Sequence, residues 1–182
     1  MSNENELHEE RIDGHLVYDG KVVHLEVDRV RLPNGHETIR EVVRHQGAVV
    51  MLAIDGEDRV LLVRQYRYPV GRILMELPAG KLDPGEEPLV CARRELAEET
   101  GMGAREWRRL GTLLTTPGFT DEAIHVFLAT GLEPVEGAGP DEDEFLQAVR
   151  LPVNELEDLV RRGEVQDAKT LAALYLWRLT GR

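Results

Sequence analysis

The chain has 182 residues, 42% of them hydrophobic and 31% charged, with a formal net charge of −12. That length suits one domain of ordinary size with a small appended element, and the composition is that of a soluble globular protein. The acidic balance excludes a general nucleic-acid-binding surface, which needs clustered Lys and Arg to meet the phosphate backbone. No basic amino-terminal region precedes an apolar run, and no apolar stretch reaches the length of a membrane span. Neither export nor a membrane partner is therefore expected, and the cytoplasm is the expected compartment. The single cysteine, Cys91, cannot form an intrachain disulfide and is expected to be a packing residue.

Taken in order, residues 1–14 are polar and acidic and are expected to fray. Alternation begins at Leu16-Val17-Tyr18, turns at Asp19-Gly20, and resumes from Val22 to Leu32. Pro33-Asn34-Gly35 is a hairpin turn, and a third strand follows through Thr38–Arg44. These strands, residues 1–44, predict a small antiparallel sheet set apart from the remainder, 45–182. Gly47–Ile54 is a continuous apolar run, the pattern of a central strand buried on both faces. Strands are expected next at 59–67 and 73–77, then at about 105–115, 122–130 and 145–151. Helices are expected at 152–162 and 167–180, the latter with Leu171, Leu174, Tyr175 and Leu179 as its apolar face. Strands outnumber helices, which predicts a mixed sheet covered by helical layers, an α/β/α arrangement.

Between the strands lies the stretch Gly80–Met102, GKLDPGEEPLVCARRELAEETGM. Its loop is punctuated by Gly80, Pro84 and Gly85, Pro88 suits a first helical turn, and Gly101 suits the C′ position. Glu95, Glu98 and Glu99 fall at i, i+3 and i+4, so the three carboxylates share an arc of roughly 100° beside an apolar stripe of Leu89, Ala92 and Leu96. Like charges at this spacing repel, and acids near a helix C-terminus oppose the macrodipole. A solvated acidic face next to Arg93 and Arg94 is one reading of this cluster; the other is a hard divalent cation such as Mg²⁺, which would cancel that cost, prefers oxygen ligands and binds substrate phosphates as well. A second acidic stretch, at 133–144, points to the same need for a counter-charge.

Gly80, Glu86 and the run Arg94-Glu95-Leu96-Ala97-Glu98-Glu99-Thr100-Gly101-Met102 resemble the Nudix box, G-x5-E-x7-R-E-U-x-E-E-x-G-U with U apolar, at every defined position. The resemblance implies a Nudix α/β/α sandwich and hydrolysis of a pyrophosphate with Mg²⁺, or Mn²⁺ in its place. It implies that Glu95, Glu98 and Glu99 face the metal together with the Ala79 carbonyl, and that Glu86 and Arg94 brace the loop on the helix. Thr115-Thr116-Pro117-Gly118-Phe119-Thr120-Asp121-Glu122, with Pro117 sixteen residues beyond Gly101, looks like the ADP-ribose pyrophosphatase branch. By itself Pro-Gly is also a good turn sequence. That branch implies conversion of ADP-ribose to AMP and ribose 5-phosphate by a homodimer, with Pro117 and Phe119 on a pocket wall.

By the same resemblance, Arg67 contacts substrate and Glu76 lies near a ribose, although a salt bridge at the strand ends is an equal reading of both. Arg40 and Glu41 correspond to the neighbourhood of the adenine pocket in related dimers, with Arg40 standing where some relatives carry Trp. A glutamate of the loop Gly139–Glu144 is implied to activate water, Glu144 first and Glu142 second; spacing does not choose between them. GDP-mannose or another nucleoside diphosphate sugar is the alternative substrate. A nucleotide sensor without turnover is the alternative of another class.

Overall fold

The computed structural model describes residues 6–137, 139 and 145–180. The chain divides into two compact units, one running to Gln46 and including Leu114–Ala123, the other comprising Gly47–Leu113 and the chain from Ile124 onward.

The first unit is an antiparallel sheet of β1 (Glu10–Asp19), β2 (His24–Arg31) and β3 (Glu37–Arg44), in that spatial order. The expected fraying is corrected for residues 10–14, because β1 begins at Glu10 and Glu10 pairs with Arg31. Polar residues hold this end: Arg31 reaches Glu10 at 2.7 Å and Arg11 reaches Asp28 at 2.9 Å. The acids that argued for a loose terminus are thus the ones that fasten it to the basic side chains of β2. The segment 114–123 joins this unit through a parallel bridge between Val43 and Thr120 and a bond from the Val43 N–H to the Phe119 carbonyl at 2.8 Å.

The second unit is a mixed sheet. Its strands are β4 (Ala48–Ile54), β5 (Arg59–Arg67), β6 (Arg72–Glu76), β7 (Ala79–Lys81), β8 (Met102–Leu114), β9 (Ala123–Pro134) and β10 (Leu146–Pro152). The main path is β10-β5-β4-β9-β8, with β6 on β5 and β7 on β4. β4 runs parallel to β9, Ala48 opposite Ile124, and antiparallel to β7, Val49 opposite Gly80. Every residue of β4 is buried, and its side chains serve two cores by the period of two of a strand. Val50, Leu52 and Ile54 pack with α2 (Val153–Arg161) and α3 (Ala168–Leu179). Val49, Met51 and Ala53 pack with α1 (Pro88–Thr100). This is the α/β/α sandwich, with α1 on one face and α2 and α3 on the other. Among the described residues no helix is long and apolar enough to cross a membrane.

Two local differences from the sequence pattern have physical causes. β8 begins at Met102, directly after α1, because Gly101 at φ 66° turns the chain and its N–H bonds the Ala97 carbonyl. Gly101→Ala is accordingly expected to cost about 1 kcal/mol, read from the unfolding midpoint in urea. The buried face of α3 is Thr170, Ala173, Leu174 and Trp177, with Leu171 packed at its edge; of the predicted stripe Leu171 and Leu174 meet the core, whereas Tyr175 and Leu179 are each 65% exposed. The buried face is turned towards Ala173 and Trp177, which pack in the core, while the Thr170 hydroxyl accepts the Leu77 N–H.

Candidate active site

Pro88 opens α1 at its first turn, where a missing N–H leaves no bond unmade. Cys91, Ala92 and Leu96 bury one side of the helix, and this fixes which side its acids present. Cys91 is fully enclosed, and burial, with the Glu86 charge nearby, pushes its thiol up to about 12. It is a packing residue and not a nucleophile.

Arg94 is the hub of the acids. It donates from Nε and Nη2 to Glu86 at 3.1 and 2.8 Å, and its Nη1 donates to Glu95 at 2.8 Å and Glu98 at 3.0 Å. Glu86 also accepts the Asp83 N–H at 3.0 Å, which ties the loop of Asp83-Pro84-Gly85 to the helix. Glu99 is buried and accepts the Ala79 N–H at 3.0 Å, so it holds β7. At Gly80 a Cβ would stand 1.8 Å from Cδ of Glu95, so only glycine lets that carboxylate lie against the loop.

Among the described residues no three His, Cys, Asp or Glu side chains form a metal-holding group. The donor chemistry nevertheless fits a hard divalent cation. Glu95 and Glu98 share one nitrogen of Arg94, Glu95 lies against Gly80, and Glu99 holds the Ala79 N–H, so three carboxylates of one helix stand near the start of the loop. Carboxylate oxygens are the ligands a hard cation prefers, and in this structure Arg94 is the cation that meets them.

Hydrogen bonds from Arg94, opposed by some desolvation and aided by the Asp83 N–H, hold the Glu86 carboxyl down at about 2. Glu76 reaches about 2 as well: burial pushes it up, and the hydrogen bonds of Arg67 together with the Lys169 charge outweigh that. Both native values lie below the ordinary 4.5. Between these limits the unfolded chain binds more protons, so the stabilisation is complete above about pH 4.5 and is lost as pH falls towards 2. The urea midpoint is therefore expected to drop steeply below pH 4.5, and less steeply in Glu76→Gln. A midpoint constant from pH 5 to 3 contradicts this linkage.

Arg67 ends β5 and Glu76 ends β6. The arginine donates from Nε and Nη2 to the two carboxylate oxygens, each at 2.8 Å. The resemblance puts Glu76 near a ribose; the structure encloses it, with the side chain 1% exposed and both oxygens engaged. Lys169, Asp167 and Thr170, which the sequence pattern did not single out, form a bonded chain that reaches it through Lys169. Lys169 bonds Glu76, and Asp167 caps α3 by accepting the Thr170 N–H at 3.0 Å. A signal was present in Asp167-Ala168-Lys169-Thr170, since a lysine in the first turn of a helix opposes the macrodipole unless an acid meets it.

In the other unit, Arg40 is paired with Glu9 at 2.7 and 3.0 Å, and Glu41 is exposed. Pro117 and Phe119 lie in an exposed turn closed by bonds from the Phe119 and Thr120 N–H groups to the Thr116 carbonyl, each at 3.1 Å. Asp121 secures the turn by accepting the His45 N–H at 2.8 Å. Glu142 and Glu144 lie outside the described residues.

The family model of the NUDIX domain matches residues 44–174, and that of the nucleoside diphosphate sugar hydrolase N-terminal domain matches residues 9–43. The chain belongs to the Nudix hydrolase family. It is 43% identical to an ADP-ribose pyrophosphatase of Bacillus subtilis, over 95% of this chain and 94% of the relative. It is also 43% identical to a methanol dehydrogenase activator of Bacillus methanolicus, over 94% of this chain and 93% of that protein. A solved structure described as an ADP compounds hydrolase superposes with a TM-score of 0.81 at 26% identity, covering 93% of this chain and 92% of its own. Nudix hydrolases generally act with divalent metal ions.

Proposed function

We propose that this chain hydrolyses the pyrophosphate of ADP-ribose to AMP and ribose 5-phosphate with Mg²⁺, Mn²⁺ being a possible substitute. The observation that carries this reading is the placement of Glu95, Glu98 and Glu99 on one helix, with Glu95 against Gly80 and Glu99 on the Ala79 N–H. Similarity to an ADP-ribose pyrophosphatase along nearly the whole of both chains supports the substrate.

Glu95, Glu98, Glu99 and the Ala79 carbonyl are the groups to hold the ion. When bound, the ion supplies neutralisation of the diphosphate charge and a lower pKa for water. Glu144, or Glu142 in its place, takes the proton of the attacking water as the new P–O bond forms and the anhydride bond breaks. Arg67, backed by Glu76, binds a substrate phosphate. Arg40, Glu41, Pro117 and Phe119 are assigned to substrate choice, in a cytoplasmic homodimer.

ADP-ribose incubated with enzyme and Mg²⁺ should release AMP in a reaction abolished by EDTA. Cleavage of GDP-mannose but not ADP-ribose would move the assignment to another nucleoside diphosphate sugar. A second reading, a regulatory protein, is favoured by the relative named as a dehydrogenase activator. ADP-ribose binding that survives EDTA, without turnover under any metal, would support it.

A further inference from the structure

Among the described residues of the second unit Glu76 is the most enclosed acid, and it is served by two cations of unequal freedom. Arg67 is 40% exposed, whereas Lys169 is 14% exposed and Glu76 1%. Lys169 is also fixed from behind, since its Nζ donates to Asp167 at 2.9 Å while Asp167 accepts the Thr170 hydroxyl at 2.6 Å. Thr170, itself fully buried, accepts the Leu77 N–H at 2.9 Å. The start of α3 thus grips Glu76 through Lys169 and the next residue of the chain through Thr170. Of the two cations, the arginine is at the rim and the lysine is locked in.

A buried carboxylate left without a partner is heavily penalised, so a lone Arg67 could not turn away from Glu76 without that cost. With Lys169 in place the carboxylate stays paired whichever way the guanidinium points. We infer that Lys169 is a positioning residue that keeps Glu76 neutralised so that Arg67 can exchange this carboxylate for a phosphate of the substrate. The inference rests on the phosphate-binding role proposed for Arg67. Two charge-assisted bonds are given up at Glu76 and replaced at the substrate, so Lys169 acts on binding and leaves the bond-breaking step to other groups.

The test is steady-state hydrolysis of ADP-ribose with Mg²⁺ at one pH, with circular dichroism as a check on folding. Lys169→Met should raise KM about 10- to 100-fold, because Arg67 is then held by the buried acid, and should change kcat less than about 3-fold. Lys169→Arg should keep KM within about 3-fold of the parent. The double variant Glu76→Gln/Lys169→Met should recover at least about 5-fold of the lost KM, which simple loss of packing at Lys169 would not do. An unchanged KM in Lys169→Met, or a double variant no better than the single one, overturns the inference.

If Lys169→Met does not fold, the double variant is compared with Glu76→Gln. Equal KM values within about 3-fold are expected, as Lys169 then has no charge to neutralise, and a further rise on removing Lys169 overturns the idea. Arg67→Gln separates the two levels. A parental KM in Arg67→Gln removes the phosphate role beneath the inference, whereas a raised KM there with a parental KM in Lys169→Met removes the exchange alone.

Discussion

Glu98→Gln is expected to lower kcat for ADP-ribose by about 100- to 10,000-fold while leaving the fold intact. The side chain is 36% exposed, and its hydrogen bond from Arg94 at 3.0 Å is an i,i+4 pair on the helix surface. Such a pair is worth about 0.3–0.5 kcal/mol, so the stability cost is small. The neutral amide keeps shape and removes the charge that a divalent ion needs. Parallel measurement of kcat and of the urea midpoint separates the two effects. An unchanged rate in Glu98→Gln would mean that the acids of α1 are placed for a structural reason and hold no ion.

Gly80→Ala should behave in the same direction for a different reason. Its methyl group would occupy the place of the Glu95 carboxylate, 1.8 Å from Cδ and 2.1 Å from an oxygen. The obstructing atoms belong to the end of a flexible side chain, so Glu95 can swing aside and the fold can survive at a cost of about 1–3 kcal/mol. The displaced carboxylate leaves the point where Glu95 and Glu98 converge. Activity is expected to fall at least about 100-fold, with a raised metal requirement in titrations of Mg²⁺ against rate. Activity and metal requirement both equal to those of the parent would show that the position of Glu95 against the loop is not used.

How much of this could be read from residues alone differs by element. β4 was legible because an unbroken apolar run leaves a strand no polar face to expose. α1 was legible because Pro88 and Gly101 mark its ends and its acids repeat at helical spacing. The face of α3 was legible only in part: Leu171 and Leu174 meet the core as expected, but Tyr175 and Leu179 do not, because Ala173 and Trp177 pack there instead. The first half of β1, residues 10–14, escaped for a related reason, since its acids carry no signal until the arginines of β2 lie opposite. Within the site, the box residues were visible by spacing. The enclosure of Glu76 by Lys169 was not, because it joins residues far apart in sequence whose proximity is a property of the assembled sheet.

The parallel pairing of β4 with β9 sets a condition on when the site can exist during folding. Ala48 must find Ile124, and every residue of the box lies in the chain between them. Closing so long a connection is slow compared with forming a hairpin or a helix, because chain entropy is lost before contacts return it. α1 can therefore coil early, but the layer on which it rests is completed only when β9 docks beside β4. Newly made chains should acquire helical signal before they acquire catalytic capacity. In refolding from denaturant, the return of hydrolysis should trail the far-ultraviolet signal and coincide with hydrogen-exchange protection of Val126–Leu128.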